Sequence, residues 1–404
     1  MTYDFTTIMD RRGKDALAVD AIGADVPWAK APTAPKNGLS AIPMWVADMN
    51  FATVPTIPEE IIKRASHPAY GYYIPPDAYY DSIIRWHERR NGVTGLTAEE
   101  IGYENGVLGC VSSAIQAFTA PGEMILLHSP TYIGFTHVLE DIGRPAALSP
   151  LVRDENGIWR MDYADMDRRI KEHRIHLAIF CSPHNPCGRV WEREEIEKAM
   201  AVFRENACVV ISDEIWSDIL LNGHRHIPTQ SVNEDARERT IAVYAPSKTF
   251  NLAGLIGSYH IIWNKYLRDR LRRQEAMTHY NDMNVLSMHA LIGAYKPEGY
   301  RWVDELCEVL SKNVNDVYDH ITHDVKGIEV SRPEGTYMLF LHCEEYCREH
   351  GLSIDELIQK GWDAGVAWQQ GAPFHDPWGI RINVALPHSL VTEAVERLKK
   401  YVWE

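Results

Sequence analysis

The chain has 404 residues, 45% of them apolar and 24% charged, with no long Ser, Gln or Gly/Pro tract. That is enough for a large core, and it excludes a disordered or low-complexity protein. The formal charge of −15 opposes binding to nucleic acid or to an anionic lipid surface, and no basic stripe offsets it.

The first residues, "MTYDFTTIMDRRGKD", lack the apolar centre of a signal peptide. No apolar run reaches the roughly 18 residues of a membrane span. A cytoplasmic protein is expected, and seven cysteines suit reduced thiols better than a disulfide framework. Further on, "WHERRNG" predicts a charged, exposed helix face. Next, "ENGVLGCVSSAIQAF" sets Gly106 and Gly109 ahead of Val111, Ala114, Ile115 and Phe118, the spacing of a buried helix face. A glycine loop opening a helix offers free N–H groups and a positive dipole end to a phosphate, although it matches neither the dinucleotide nor the P-loop fingerprint.

From residue 124 to 245, short apolar runs alternate with amphipathic stretches, which predicts a mostly parallel sheet covered by helices. Four runs end in polar residues: "MILLH" leads to Tyr132, "HLAIF" to Asn185, "CVVIS" to Asp213 and "TIAVYA" to Lys248. Ligands of open α/β sheets lie beyond the carboxyl ends of the strands, so these four side chains are expected to converge. The later segments read more plainly. "HRHIP", with His224 and His226, predicts a solvated polar loop, and "RDRLRRQ" a second exposed charged face. His342, Cys343 and Cys347 have no second close cluster, so they are read as buried groups and no metal site is expected.

A phosphate cradle, a carboxylate, a stacking aromatic and a lysine together suit pyridoxal 5′-phosphate. Its aldehyde forms a Schiff base with a lysine, and its ring nitrogen needs a carboxylate to stay protonated. Lys248 and Asp213 can fill those roles, with Tyr132 stacked on the ring and Asn185 donating to the ring hydroxyl. The neutral Lys248 amine is then the base for the substrate Cα proton.

The segments "SPTY", "CSPHNPCGRVW", "SDEIWSDI" and "APSKTFNLAGL" resemble the fold type I, class I/II aminotransferase superfamily over nearly the whole chain. Within it, "DRRGKDALAVD", "IPMWVADMNF", "HPAYGYY" and "EGTYMLFL" resemble the cystathionine β-lyase (MalY/PatB-type C-S lyase) subgroup. The resemblance implies an α/β protein. A large domain, residues 51–290, would carry a mostly parallel seven-stranded sheet, and a smaller α/β domain would join residues 1–50 to 291–404. It also implies a homodimer with active sites shared at the subunit interface. Carried over by position, Lys248, Asp213, Asn185 and Tyr132 keep the roles above. Leu108 and Gly109 match the phosphate loop, and Ser247 adds its hydroxyl. Tyr72 matches the tyrosine donated by the neighbouring subunit, Arg381 the arginine that grips the substrate α-carboxylate, and Tyr337 a residue that faces substrate.

Two positions depart from the pattern. Trp216 stands where the superfamily commonly has Tyr and the lyase subgroup often has His, and it is expected to line the pocket or cover the ring hydroxyl. Ile256 stands eight positions after Lys248, where many aminotransferases carry a phosphate-binding arginine. The reaction expected is β-elimination from cystathionine or another cysteine S-conjugate. Transamination of a small L-amino acid is the alternative, and a racemase is a third. A regulatory domain that keeps the cofactor site without catalysis belongs to a different class; such a domain usually follows a basic helix-turn-helix segment, and none is expected here.

Overall fold

The computed structural model describes residues 1–26, 30–279 and 281–403. Its centre is a seven-stranded sheet of β1 (Ile101–Glu104), β2 (Ile125–Ser129), β3 (Ala146–Pro150), β4 (Leu177–Cys181), β5 (Val209–Asp213), β6 (Thr240–Tyr244) and β7 (Ser258–Ile261), in the spatial order β1-β7-β6-β5-β4-β2-β3. The pairs β2–β3, β2–β4, β4–β5 and β5–β6 are parallel, whereas β7 runs antiparallel to both β1 and β6. This is the mostly parallel sheet that the apolar runs predict.

Both faces of the sheet are covered, which is why its strands read as unbroken apolar runs. All five residues of β4 and all five of β6 are buried. The main covering helices are α1 (Asp77–Asn91), α2 (Val107–Phe118), α3 (Tyr163–His173), α4 (Arg193–Glu205), the short α5 (Pro246–Thr249) and α6 (Lys265–Thr278). Leu177, Ile179 and Cys181 pack with Val111 and Ile115 of α2 and Leu271 of α6. The alternate residues Ala178 and Phe180 pack on the opposite face with Ile170 of α3 and Met200 and Phe203 of α4. The period of two along β4 thus divides one strand between two cores.

A second sheet, of four antiparallel strands, is formed by β8 (Glu329–Val330), β9 (Met338–His342), β10 (Gln369–Gln370) and β11 (Gly379–Asn383), in the order β8-β9-β11-β10. Helix α7 (Pro297–Asp324) lays Trp302, Leu306, Leu310, Val317 and Ile321 into the adjoining core, and α8 (His388–Tyr401) adds Val391, Ala394 and Leu398. The chain ends meet, since Ile42–Pro43 pairs in parallel with Val366–Ala367.

Three readings of charged segments need correction. His226 is buried rather than solvated, because its loop folds against Glu214 and its Nε2 lies 2.7 Å from that carboxylate. In "WHERRNG", Trp86 and His87 are buried and Arg90 reaches inward to Asp218 at 3.1 Å. In "RDRLRRQ", Arg268 is buried, donating to the carbonyls of Ile262 and Trp263 and pairing with Glu99 at 2.5 Å. Each of these side chains turns inward to groups that only the fold brings near. Cys343 and Cys347 are buried free thiols, and His342 binds Asp376 at 2.8 Å. Among the described residues none of the seven cysteines forms a disulfide, and no helix is long and apolar enough to cross a membrane.

Candidate active site

Strands β4, β5 and β6 lead at their carboxyl ends into one cavity of about 350 Å³. Leu108, Gly109, Tyr132, Asn185, Asp213, Trp216, Ser247 and Lys248 all line it, so the four strand ends and the glycine loop do converge.

The turn before α2 forms one end of the cavity. Gly106 caps that helix at φ 85°, ψ 150°, a backbone region closed to residues with a Cβ, and no side chain caps the helix N-terminus. The first-turn amides of Val107, Leu108 and Gly109 therefore remain available to an anion, with Ser247 on the same cavity wall. Ile256 also lines this wall, at φ 37°. Tyr132 lies beside the loop, and a Cβ on Gly134 would come within 2.4 Å of its ring. Glycine at 134 is what lets that ring settle, edge-on to Phe135 at 5.3 Å.

Asp213 is buried, and among the described residues its carboxylate accepts one hydrogen bond, from Ile215 N–H at 3.0 Å. Burial pushes its pKa up to about 7, against the opposing pull of that hydrogen bond and of Lys248. Such a carboxylate is suited to an N–H cation placed in the cavity. Lys248 rises from α5 beyond the end of β6, and its Nζ donates to the Ala47 carbonyl at 2.9 Å. Burial first, and Arg381 second, bring its pKa down to about 8. A useful fraction of neutral amine is present near neutrality.

Arg381, on β11, is buried, donating to Asn185 Oδ1 at 3.3 Å, to the Trp45 carbonyl at 3.1 Å and to Gln369 Oε1 at 2.5 Å. Its Nε has no partner and no carboxylate pairs with it among the described residues. Burial brings its pKa down to about 10. A guanidinium held this way is prepared for an incoming carboxylate.

Trp216 is buried, edge-on to Tyr337 at 4.7 Å, with Lys248 Nζ 5.8 Å from its ring. Tyr337 lies behind that wall, fully buried, its hydroxyl donating to the Ala47 carbonyl at 3.1 Å. Tyr72 is not brought into the cavity: it is fully exposed, in a stretch without helix or strand. Two contributors escape a side-chain reading of the sequence. Ala47 acts through its carbonyl and so leaves no residue-type signal. Asn383 lies two residues beyond Arg381 on one face of β11 and holds the Val46 and Asp48 carbonyls at 2.6 and 2.7 Å. The period of two along "RIN" is the signal that could have pointed to it.

The pattern of the family described as aminotransferase class I and II matches residues 42–398. The chain belongs to that family. Cystathionine beta-lyase PatB of Bacillus subtilis (strain 168) is 32% identical over 362 residues, covering 89% of this chain and 92% of PatB. Protein MalY of Escherichia coli (strain K12) is 27% identical, with 98% of each chain covered. The structure of cystalysin from Treponema denticola, which contains pyridoxal 5′-phosphate, aligns with a TM-score of 0.89 at 29% identity, covering 99% of this chain and 98% of cystalysin. A pyridoxal-phosphate-bound C-S lyase from Staphylococcus hominis aligns with a TM-score of 0.88 at 28% identity, covering 100% of this chain and 99% of its own.

Proposed function

We propose that this family member is a pyridoxal 5′-phosphate-dependent carbon–sulfur β-lyase, converting cystathionine or a related cysteine S-conjugate and water to a thiol, pyruvate and ammonia. The observation that carries the reading is the set of incomplete partnerships around one cavity. Among the described residues Asp213 is a buried carboxylate with no ion pair and Arg381 a buried cation with no carboxylate partner, and Lys248 is an amine brought down to about 8.

These residues fit the cofactor. The amides of Leu108 and Gly109 and the Ser247 hydroxyl would hold its phosphate, Tyr132 its ring face, Asn185 its ring hydroxyl, Asp213 its ring nitrogen and Lys248 its aldehyde carbon. When bound, pyridoxal phosphate supplies a conjugated ring that takes up the electron pair left at the substrate Cα. Arg381 grips the substrate α-carboxylate through paired donors and fixes which Cα bond faces Lys248. The Lys248 amine takes the Cα proton and returns a proton to the departing sulfur as the carbon–sulfur bond breaks. Asp213 keeps a proton on the nitrogen it faces throughout. Trp216, backed by Tyr337, closes the substrate side with an apolar wall.

The similarity to PatB, to cystalysin and to the Staphylococcus hominis enzyme favours elimination over transamination. The deciding experiment supplies cystathionine or an S-alkyl cysteine with no 2-oxo acid and measures pyruvate and thiol. Steady production is expected. A single turnover that stops until a 2-oxo acid is added would make the protein an aminotransferase.

We also infer a cytoplasmic homodimer in which Tyr72 of a second copy completes the phosphate site. The support is that Tyr72 and Ile74 are exposed in a stretch without helix or strand, while Lys248 is the one basic side chain among the described residues that line the cavity. Mixing Tyr72→Phe and Lys248→Ala chains should restore one site per dimer with both residues intact. If activity does not rise although subunit exchange is demonstrated, each site is built within one chain. The grouping of residues 1–50 with 291–404 as the smaller domain is supported by the pairing of Ile42–Pro43 with Val366–Ala367.

A further inference from the structure

Beneath the glycine turn, at the β1 edge of the seven-stranded sheet, the structure encloses a group that the proposed reaction does not use. Glu104 is the last residue of β1, Cys110 lies in the first half of α2, and His260 lies on β7. All three are fully buried. One ligand-type atom from each falls within 4.8 Å of the others. The backbone makes room for this arrangement. Gly102 pairs with His260 across the β1–β7 ladder, and a Cβ there would come within 2.3 Å of His260 Nε2. Gly102 and Glu104 share one face of β1, and Cys110 approaches that face from α2.

The hydrogen bonding of the group is incomplete. His260 Nδ1 lies 2.5 Å from Glu104 Oε1, but among the described residues Glu104 Oε2 and His260 Nε2 have no hydrogen-bond partner. Glu275 reaches in from α6, and its Oε1 is likewise without one among the described residues. Unpartnered buried polar atoms are costly, and a bound ion is one of the few ways to avoid that cost.

We propose that Glu104, Cys110 and His260 bind one zinc-type divalent cation. The two Glu104 oxygens, the Cys110 sulfur and one imidazole nitrogen supply four donor atoms, and a mixed O, N and S set favours zinc over magnesium or calcium. Zinc bonds of about 2.0–2.3 Å place tetrahedral ligand atoms of different residues roughly 3.3–3.8 Å apart, so uptake opens the 2.5 Å Glu104–His260 hydrogen bond and draws together any wider pair in the group. One carboxylate and one thiolate neutralise the dication. Glu275 of α6 stands beside Glu104 behind the proposed ion and can orient its carboxylate. Binding displaces the Cys110 proton, so uptake weakens as pH falls. Because Glu104 and Cys110 flank the Gly106 turn, the ion fixes the base of the anion cradle. As the group is sealed from solvent, loading accompanies folding.

The test is to produce the holoenzyme in zinc-supplemented medium, desalt it over a chelating resin, count metal by mass spectrometry and read the shell by zinc X-ray absorption. About one zinc per chain with one sulfur ligand is expected, falling at least roughly tenfold in Cys110→Ala and in His260→Gln. Refolding wild-type protein with a strong chelator should lower its melting temperature and speed cofactor loss. A metal content below about a tenth of an equivalent, or zinc bound without sulfur, would overturn the proposal and leave a proton-sharing carboxyl pair in its place. The wild-type measurements decide the matter even if a variant fails to fold.

Discussion

At the scale of single residues, the site rests on groups that the fold leaves short of partners, and substitutions there separate cofactor attachment from substrate grip. Lys248→Ala removes the amine that Ala47 holds at 2.9 Å. The variant should keep its fold, retain no cofactor after borohydride treatment and dialysis, and lose about 10³-fold in kcat, the usual scale of a missing general base. Covalent retention by that variant would place the attachment on another lysine. Arg381→Lys keeps the charge but removes the fork. Hydrogen bonds to charged groups contribute about 1.5–3 kcal/mol, so KM for an S-alkyl cysteine should rise roughly 10- to 100-fold. Bound cofactor absorbance should stay unchanged, because Arg381 touches Asn185 through only one bond, at 3.3 Å. If KM is unmoved while cofactor is lost, Arg381 acts on the cofactor side.

At the scale of elements, the cavity depends on how strand ends and helix starts are spaced. Gly134, in the first turn of the helix Ile133–Asp141 that follows β2, leaves room for the Tyr132 ring, and its replacement by alanine would set a Cβ within 2.4 Å of Tyr132 and 2.8 Å of Leu108. Gly134→Ala should therefore push both away from the ring position and weaken cofactor affinity about tenfold, a cost of about 1.4 kcal/mol, read by titrating the apoprotein. An unchanged affinity would mean that Tyr132 does not bear on the ring. Much of this layer is legible in the sequence, because β4, β5 and β6 are buried on both faces and lead to the polar residues Asn185, Asp213 and Lys248, which line one cavity. Other elements are not legible. β1 ("IGYE") and β7 ("SYHI") carry Gly, Glu, Ser and His, because their inward positions hold the polar group around Glu104 rather than apolar side chains. Arg90, Arg268 and His226 read as surface charge because Asp218, Glu99 and Glu214 lie far from them or in other elements, and only the fold brings each pair together.

At the scale of the whole molecule, burial of titratable groups sets how the protein responds to acid. His87, in α1, is enclosed by the Tyr259 hydroxyl at 2.9 Å, Asn91 and the Tyr244 ring, and burial brings its pKa down to about 3. His128, at the end of β2, lies against Met166, Phe180, His184 and Trp191 and is likewise brought down to about 3. His184 donates to the Pro130 carbonyl at 2.8 Å and falls to about 4. In each case the folded value lies below the ordinary 6.5, so the native imidazole stays neutral while the unfolded chain takes up a proton. Their contribution is therefore complete above about pH 6.5 and declines as pH falls toward 3 to 4. Each group can lower stability by up to about 1.4 kcal/mol per pH unit in that window, so three acting together reach roughly 4 kcal/mol per unit. Urea midpoints should be flat from pH 8 to about 7 and fall steeply between pH 6.5 and 4.5, before most carboxylates titrate. His128→Phe removes one proton acceptor from a site already walled by aromatic rings, and it should make that slope shallower by up to about 1.4 kcal/mol per pH unit. An identical slope in the variant would show that acid sensitivity comes from the buried carboxylates rather than from these imidazoles.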